Sequence, residues 1–195
     1  VADEEQMNKI FKNQHVAPAG VPCGWPPLPR YNGMAEDAFS RHNGTVWPQI
    51  QGFWAESAAR HQEIRLFSHE LFNLARHAVR DQQFAEIYHP ITGEQYGGWR
   101  ERGEKGISLW RATNRQTWAA TAYLRMIFNG LAGMRMDSNG IRFEPCLPDE
   151  FDQINLTNVH FRNMTIDLNI QGSGAKIKTV KINGKNVSES FLKNT

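Results

Sequence analysis

The sequence is short of several things, and each shortage closes off a class of function. It has two cysteines in 195 residues, Cys23 and Cys146, too few for a disulfide framework or a cysteine-built zinc site. One bridge or two buried free thiols are both open, and the burial habit of cysteine favours the thiols. No run approaches the ~18 apolar residues a membrane span needs. The net charge is only +2 and is spread evenly, so neither a nucleic-acid nor a membrane partner is expected. His61, His69 and His77 miss the i, i+4 spacing of a helical metal pair, and no Cys or Asp completes a set; no metal and no other cofactor is expected. There is no Gly-rich phosphate loop before a helix and no Gly-x-Ser-x-Gly turn. The opening Val-Ala-Asp-Glu-Glu has neither an initiator Met nor a basic-then-apolar leader, so a piece of a longer chain is expected. The compartment is left open, with a periplasmic or extracellular one favoured over the cytoplasm.

What is present is ordinary globular material: 40% hydrophobic and 22% charged residues, enough for one sizeable core or two small domains. Glu4 to Asn13 reads as a short helix. Val16 to Arg41 holds Pro18, Pro22, Pro26, Pro27 and Pro29 with Gly20, Gly24 and Gly33, and no helix survives that punctuation. From Val46 to Arg60 the residues Val46, Trp47, Ile50, Phe53, Trp54 and Ala58 fall at helical spacing, with Pro48 in the first turn where its missing N–H costs nothing. Ile64 to Val79 is a second amphipathic stretch. Phe84 to Leu109 reads as a long loop rich in Gly and aromatics. Gln116 to about Gly133 is a third helix whose apolar residues cover most of its circumference, as burial on both sides requires.

After Met136 the pattern changes. Ile141 to Phe143, Val159 to Arg162, Thr165 to Ile170 and Lys176 to Ile182 alternate or are β-branched, and Asn183-Gly184 is a tight-turn signal. The fold class is therefore mainly α with a C-terminal β-domain, divided as residues 1–136 and 137–195.

Two segments could carry chemistry. Arg41-His42-Asn43-Gly44-Thr45-Val46-Trp47-Pro48 puts an imidazole, an amide and an indole at a helix entrance, a mixture that suits a sugar. The plainer reading is a capped helix whose Trp enters the core. The loop Ala85 to Trp99 opens with Glu86, either a solvated surface carboxylate or, flanked by Ile87, Tyr88, Tyr96 and Trp99, a general base or nucleophile.

His42 to Pro48 resembles the NG-S/T/P-V-W-P segment of glycogen-debranching glucosidases and processing α-glucosidases, members of the six-hairpin glycosidase clan. Glu86-Ile87-Tyr88-His89-Pro90-Ile91-Thr92-Gly93 is similar to their E-x-Y-[ND]-P-x-T-G segment, and Trp118-Ala119-Ala120 to the segment that follows. Leu131 to Arg135, Phe143 to Pro148 and Val180 to Lys185 resemble the β-capped C-termini of maltose and cellobiose phosphorylases and of α-rhamnosidases. The matches run from about residue 40 to 188.

The resemblance implies the last helices of an (α/α)6 toroid followed by a small antiparallel β-sandwich. It implies a glycoside hydrolase acting on oligo- or polysaccharides by inversion, with Glu86 as base and His42, Asn43, Trp47, Tyr88, Tyr96 and Trp99 around the sugar. A glycoside phosphorylase of the same clan and a non-catalytic carbohydrate-binding or assembly module are the alternatives. The general acid of the family has no counterpart here, so this chain alone is expected to be inactive. The charged stretch Arg100-Glu101-Arg102-Gly103-Glu104-Lys105 departs from the family pattern and leaves the substrate open. The implied partners are a carbohydrate and either the missing N-terminal half of the barrel or a second copy, against which unmatched apolar helix faces would pack.

Overall fold

The computed structural model describes residues 3–28 and 38–193; Pro29 and Gly33 of the Pro/Gly-rich stretch lie outside them. It is an α+β structure with several small antiparallel sheets. Its contacts divide it into two compact units, one of Val1–Trp54 with His69–Tyr123, the other of Ala55–Ser68 with Leu124–Thr195.

In the first unit, helix α1 spans Glu4–Asn13 as the sequence predicts. Asp3 and Gln6 cap it reciprocally, each side chain accepting from the other's backbone N–H at 2.8 and 3.0 Å, which satisfies two otherwise orphaned donors. Its buried Phe11 packs on Trp54, ring centroids 5.0 Å apart.

Helix α2 spans Pro48–Arg60, two residues shorter than predicted. Val46 is withheld because its backbone exchanges both hydrogen bonds with Tyr88, at 3.0 and 2.9 Å. Trp47 then offers its carbonyl to the N–H of Gln51 at 2.9 Å, and Pro48 takes the first helical position. The buried face also differs from the apolar stripe: Ile50 and Phe53 are 43% and 54% exposed, while Gln51 is fully buried. A Cβ on Gly52 would come within 2.7 Å of the Ala122 Cβ, so the missing side chain is what lets the third long helix lie against this face.

Helix α3 runs Ile64–Asp81 with Phe67, Leu71 and Leu74 buried, close to prediction. The supposed loop that follows contains a hairpin. Strands β1 (Trp99–Glu101) and β2 (Ile107–Leu109) pair antiparallel across a 3-10 turn at Gly103–Lys105. Gly103 and Gly106 adopt φ of 59° and 71° there, a region open to glycine at little cost.

Helix α4 occupies Thr117–Arg125 and continues as a π-helical turn, Met126–Leu131. It is not buried all round, as its composition suggested: Trp118 is 40% exposed. In the second unit the wide π-turn carries Gly130 up to Phe67, whose ring would lie 2.4 Å from a Cβ at that position.

The second unit also holds the remaining strands. Strands β3 (Met134–Met136), β4 (Gly140–Phe143) and β9 (Phe191–Lys193) form one sheet in the order β3-β4-β9. Strand β5 (Gln153–Phe161) pairs with β6 (Met164–Gln171), and β7 (Val180–Ile182) with β8 (Lys185–Val187). On β5 the apolar residues Ile154, Leu156, Val159 and Phe161 break strict alternation by one residue. A bulge between Leu156 and Val159, with Asn158 at φ 58°, absorbs the extra residue and keeps all four on one face opposite the apolar residues of β6. That face shares a core with Met134, Ile141 and Phe143 of the three-stranded sheet. The β7–β8 turn is Asn183-Gly184 with φ of 50° and 78°, the primed two-residue turn its sequence predicts.

Glu56 is buried in the same unit among Arg60 at 2.5 Å, Asn129 at 3.2 Å and Arg125. Burial alone would raise its pKa; the hydrogen bonds from Arg125 and Asn129 and the two arginine charges outweigh this and lower it. Both cysteines are free. Cys146 is buried, and burial lifts its thiol to about 11; Cys23 is exposed, contrary to the burial expected of it.

Candidate functional site

The first unit brings the two aromatic segments together. Around residues 41–47 the chain folds back on the carbonyl of Arg41, which accepts from the Thr45 hydroxyl and from the Trp47 indole N–H, both at 2.7 Å. The His42 imidazole stacks on Trp47, centroids 4.7 Å apart and planes within 14°. Asn43 is spent on structure: its amide accepts from the Leu28 N–H at 2.9 Å and donates to the Leu28 carbonyl at 3.0 Å. An amide engaged on both sides pins the loop, and keeps one N–H and one lone pair besides.

The second segment is anchored onto the first. Besides the Val46–Tyr88 pair, the N–H of Trp99 donates to the Phe39 carbonyl at 2.9 Å, and the Tyr96 hydroxyl donates to the same carbonyl at 3.1 Å. Gly97-Gly98 is the hinge of this arrangement. A Cβ on Gly98, which has φ +81°, would meet the Arg41 backbone at 2.5 Å, and one on Gly97 would meet the Trp110 carbonyl at 2.0 Å. Only paired glycines allow one stretch of backbone to be approached so closely from both sides.

Glu86 lies behind this hinge, 4% exposed. Arg41 Nη2 donates to its Oε1 at 2.5 Å, and the N–H of Thr113 donates to its Oε2 at 3.2 Å. The Glu86 N–H in turn donates to the Thr113 carbonyl at 2.9 Å. Each oxygen has accepted one bond and has room for another, since a carboxylate offers about four lone-pair sites.

A cleft of about 440 Å³ opens beside it, lined by Gln95, Tyr96, Gly97, Leu109, Trp110, Arg111, Ala112 and Asn114. Of the residues singled out in the sequence only Tyr96 lines this cleft. Glu86 touches its wall through Thr113, which lies between Ala112 and Asn114, and through Arg41, whose Nη1 is 3.5 Å from the Gly97 carbonyl. Tyr88 is fully buried, its hydroxyl accepting from the Ala85 N–H at 3.0 Å, which makes it a support for the loop. Trp47 is buried, Trp99 half-buried and His42 exposed. Arg41 opens the first segment singled out in the sequence, but its bond to Glu86 comes only with the fold; Trp110 and Arg111, which line the cleft, follow the charged stretch and were not singled out.

Among the described residues no three of His, Cys, Asp and Glu are grouped as a metal site requires, and no helix is long and apolar enough to cross a membrane.

Comparison with known proteins bears on both units. Residues 134–188 match the model of the glycosyl hydrolase family 65 C-terminal domain, a span that starts at β3 and ends just past β8. Over 206 residues the chain is 27% identical to the cellobionic acid phosphorylase of Neurospora crassa, an alignment that takes in 95% of this chain. The chain resembles the C-terminal part of a family 65-like carbohydrate-active enzyme. It spans about a quarter, 24%, of the length of that relative. The family relation covers glycoside hydrolases and phosphorylases together, and the relative is named for phosphorolysis.

Proposed function

We propose that this chain supplies the C-terminal part of an enzyme that cleaves glycosidic bonds with inversion, in which Glu86 is the general base. The observation that carries the reading is the setting of Glu86: a carboxylate nearly removed from solvent, at the junction of the two aromatic segments, held by Arg41 and the Thr113 N–H with lone pairs to spare. Such a group can take one proton from a water as that water attacks the anomeric carbon. An acid on another part of the complete protein protonates the departing oxygen on the opposite face, as inversion requires. Fixing the carboxylate at two points keeps it aimed, and aim contributes to the rate as directly as basicity does.

In this reading α2, α3 and α4 belong to an (α/α)6 toroid, and residues 137–195 form a small β-sandwich that caps it. The substrate is an oligo- or polysaccharide. The core shared by the β5–β6 hairpin and the three-stranded sheet supports the sandwich.

The second reading is phosphorolysis, favoured by the name of the Neurospora relative. Phosphate then replaces water as the nucleophile, and because it arrives ionised no base is needed. Proton NMR of fresh product from the complete protein separates the two. Release of free sugar of inverted anomeric configuration without phosphate is expected. Turnover that starts only when phosphate is added, with a sugar 1-phosphate as product, would replace the hydrolytic reading with the phosphorolytic one.

A further inference from the structure

We propose that the cleft between residues 95–97 and 109–114 receives an apolar aglycone, the non-sugar part of a glycoside, and that the β1–β2 hairpin extends it with an apolar strip of Trp99, Ile107 and Leu109. This rests on the reading of the chain as part of a glycoside-cleaving enzyme and adds to it the chemistry of the group the sugar is joined to. Strand register fixes the strip. Trp99 lies opposite Leu109, and Glu101 opposite Ile107, so alternation puts these four on one face and Arg100 and Ser108 on the other. Leu109 also lines the cleft, with Tyr96, Trp110 and Ala112. The strip therefore starts in the cleft and runs along the hairpin to Ile107, where Glu101 ends it.

The other face of the hairpin is already occupied. The Arg100 and Arg102 guanidinium carbons lie 3.9 and 5.0 Å from the Trp110 ring centroid, and the backbone N–H of Trp110 donates to the Gly98 carbonyl at 3.0 Å, closing the root. These contacts hold the hairpin with its apolar face uncovered: Leu109 is 49% and Ile107 40% exposed. Large aliphatic side chains that continue the wall of a cleft form one apolar surface, and such a surface marks a binding site where scattered exposed residues would not. The polar side chains of the lining are Gln95, Asn114 and the exposed Arg111. They are fewer than a pyranose with its ring of hydroxyls uses, and enough for an apolar body joined to a sugar at one end. Arg100 to Lys105, the stretch that departs from the family pattern, runs through the first strand and the turn of this hairpin, so the strip is a feature of this chain beyond the family motifs.

The test is a calorimetric titration of the complete protein with methyl, butyl and hexyl glucoside in both anomers, followed by turnover of the same glycosides. Burying one methylene is worth about fourfold in affinity, so hexyl glucoside is expected to bind at least about tenfold more tightly than methyl glucoside. Wherever turnover occurs, KM should fall along the series with kcat little changed. Leu109→Gln and Ile107→Gln, both at exposed positions where a polar side chain leaves the fold intact, should flatten the series and leave methyl glucoside binding as it was. A flat series in the native protein, a chain-length dependence that both variants retain, or no binding at all would each overturn the proposal. Variants that keep the series and instead dissociate an oligomer seen by light scattering would also overturn it, in favour of a protein partner on the strip. Turnover of oligosaccharides beside a flat series would sink the subsite alone. A Leu109-dependent series without turnover of any glycoside would sink the catalytic reading alone.

Discussion

His77 is buried under Tyr88, ring centroids 4.5 Å apart, and its Nδ1 has no hydrogen-bond partner among the described residues. Burial, helped by the Arg80 charge and only partly offset by Asp81, lowers its pKa to about 4. In an unfolded chain the imidazole titrates near ~6.5. Between those values the unfolded chain takes up a proton that the folded one refuses, so stability is fully present above about 6.5 and is lost as pH falls toward about 4. The slope from this residue approaches ~1.4 kcal/mol per pH unit. Urea unfolding of native protein and of His77→Gln across that window should show the flatter dependence in the variant; parallel curves would mean that His77 titrates normally in the fold. Glu56 acts lower on the scale, since a carboxylate with a lowered pKa loses its contribution only as pH drops through the folded value. At this scale the burial of Glu86 was legible from its apolar and aromatic neighbours, whereas its bond to Arg41 was not, because forty-odd residues separate them and only the fold brings them together. The bonds of Asn43 to Leu28 were hidden for the same reason: an amide looks identical in sequence whether it binds a ligand or a neighbouring backbone.

Gly52 shows how an element can hide its inner face. Helical spacing picked out Ile50 and Phe53 as the buried stripe, yet these are exposed and α2 meets Ala122 at a glycine. Hydrophobic periodicity weighs side chains and cannot register a face whose function is to have none. Gly52→Leu should therefore destabilise the fold by ~1–3 kcal/mol, the usual cost of overpacking, despite glycine's poor helix propensity. A melting temperature raised by that substitution would contradict the close approach of α2 and α4. The β-elements divide on the same lines. The β7–β8 hairpin was readable because Asn183-Gly184 announces its turn. The first half of β5 was not, because the bulge at Asn158 breaks the alternation that reveals a strand. Strands β1 and β2 escaped notice at three residues each, too short for any period to emerge.

For the molecule as a whole, the four helices and the strands that follow the last of them were legible, the β1–β2 hairpin between α3 and α4 was not, and the resemblance pointed to a carbohydrate-active enzyme, which the comparisons support at family level. The division into contact units was not legible, since α2 and α3 each contribute to both. Ile50, Phe53 and Trp118 stand 43%, 54% and 40% exposed on α2 and α4, helices that touch through Gly52 and Ala122. Covering such surface is worth ~25 cal/mol per Å² before the costs of association. Light scattering of this chain by itself is expected to show self-association, relieved by Phe53→Glu; a monomer of 22.3 kDa would mean that these faces need no partner. The central claim, that Glu86 is the base of a glycoside-cleaving enzyme, is tested most directly by turnover of Glu86→Gln in the complete protein, with its melting temperature measured alongside. The account predicts a loss of ~10²–10⁴-fold in turnover with sugar affinity little changed, and a lowered melting temperature because Arg41 loses its buried counter-charge; turnover within a few-fold of the native protein, measured where the variant is folded, would contradict it.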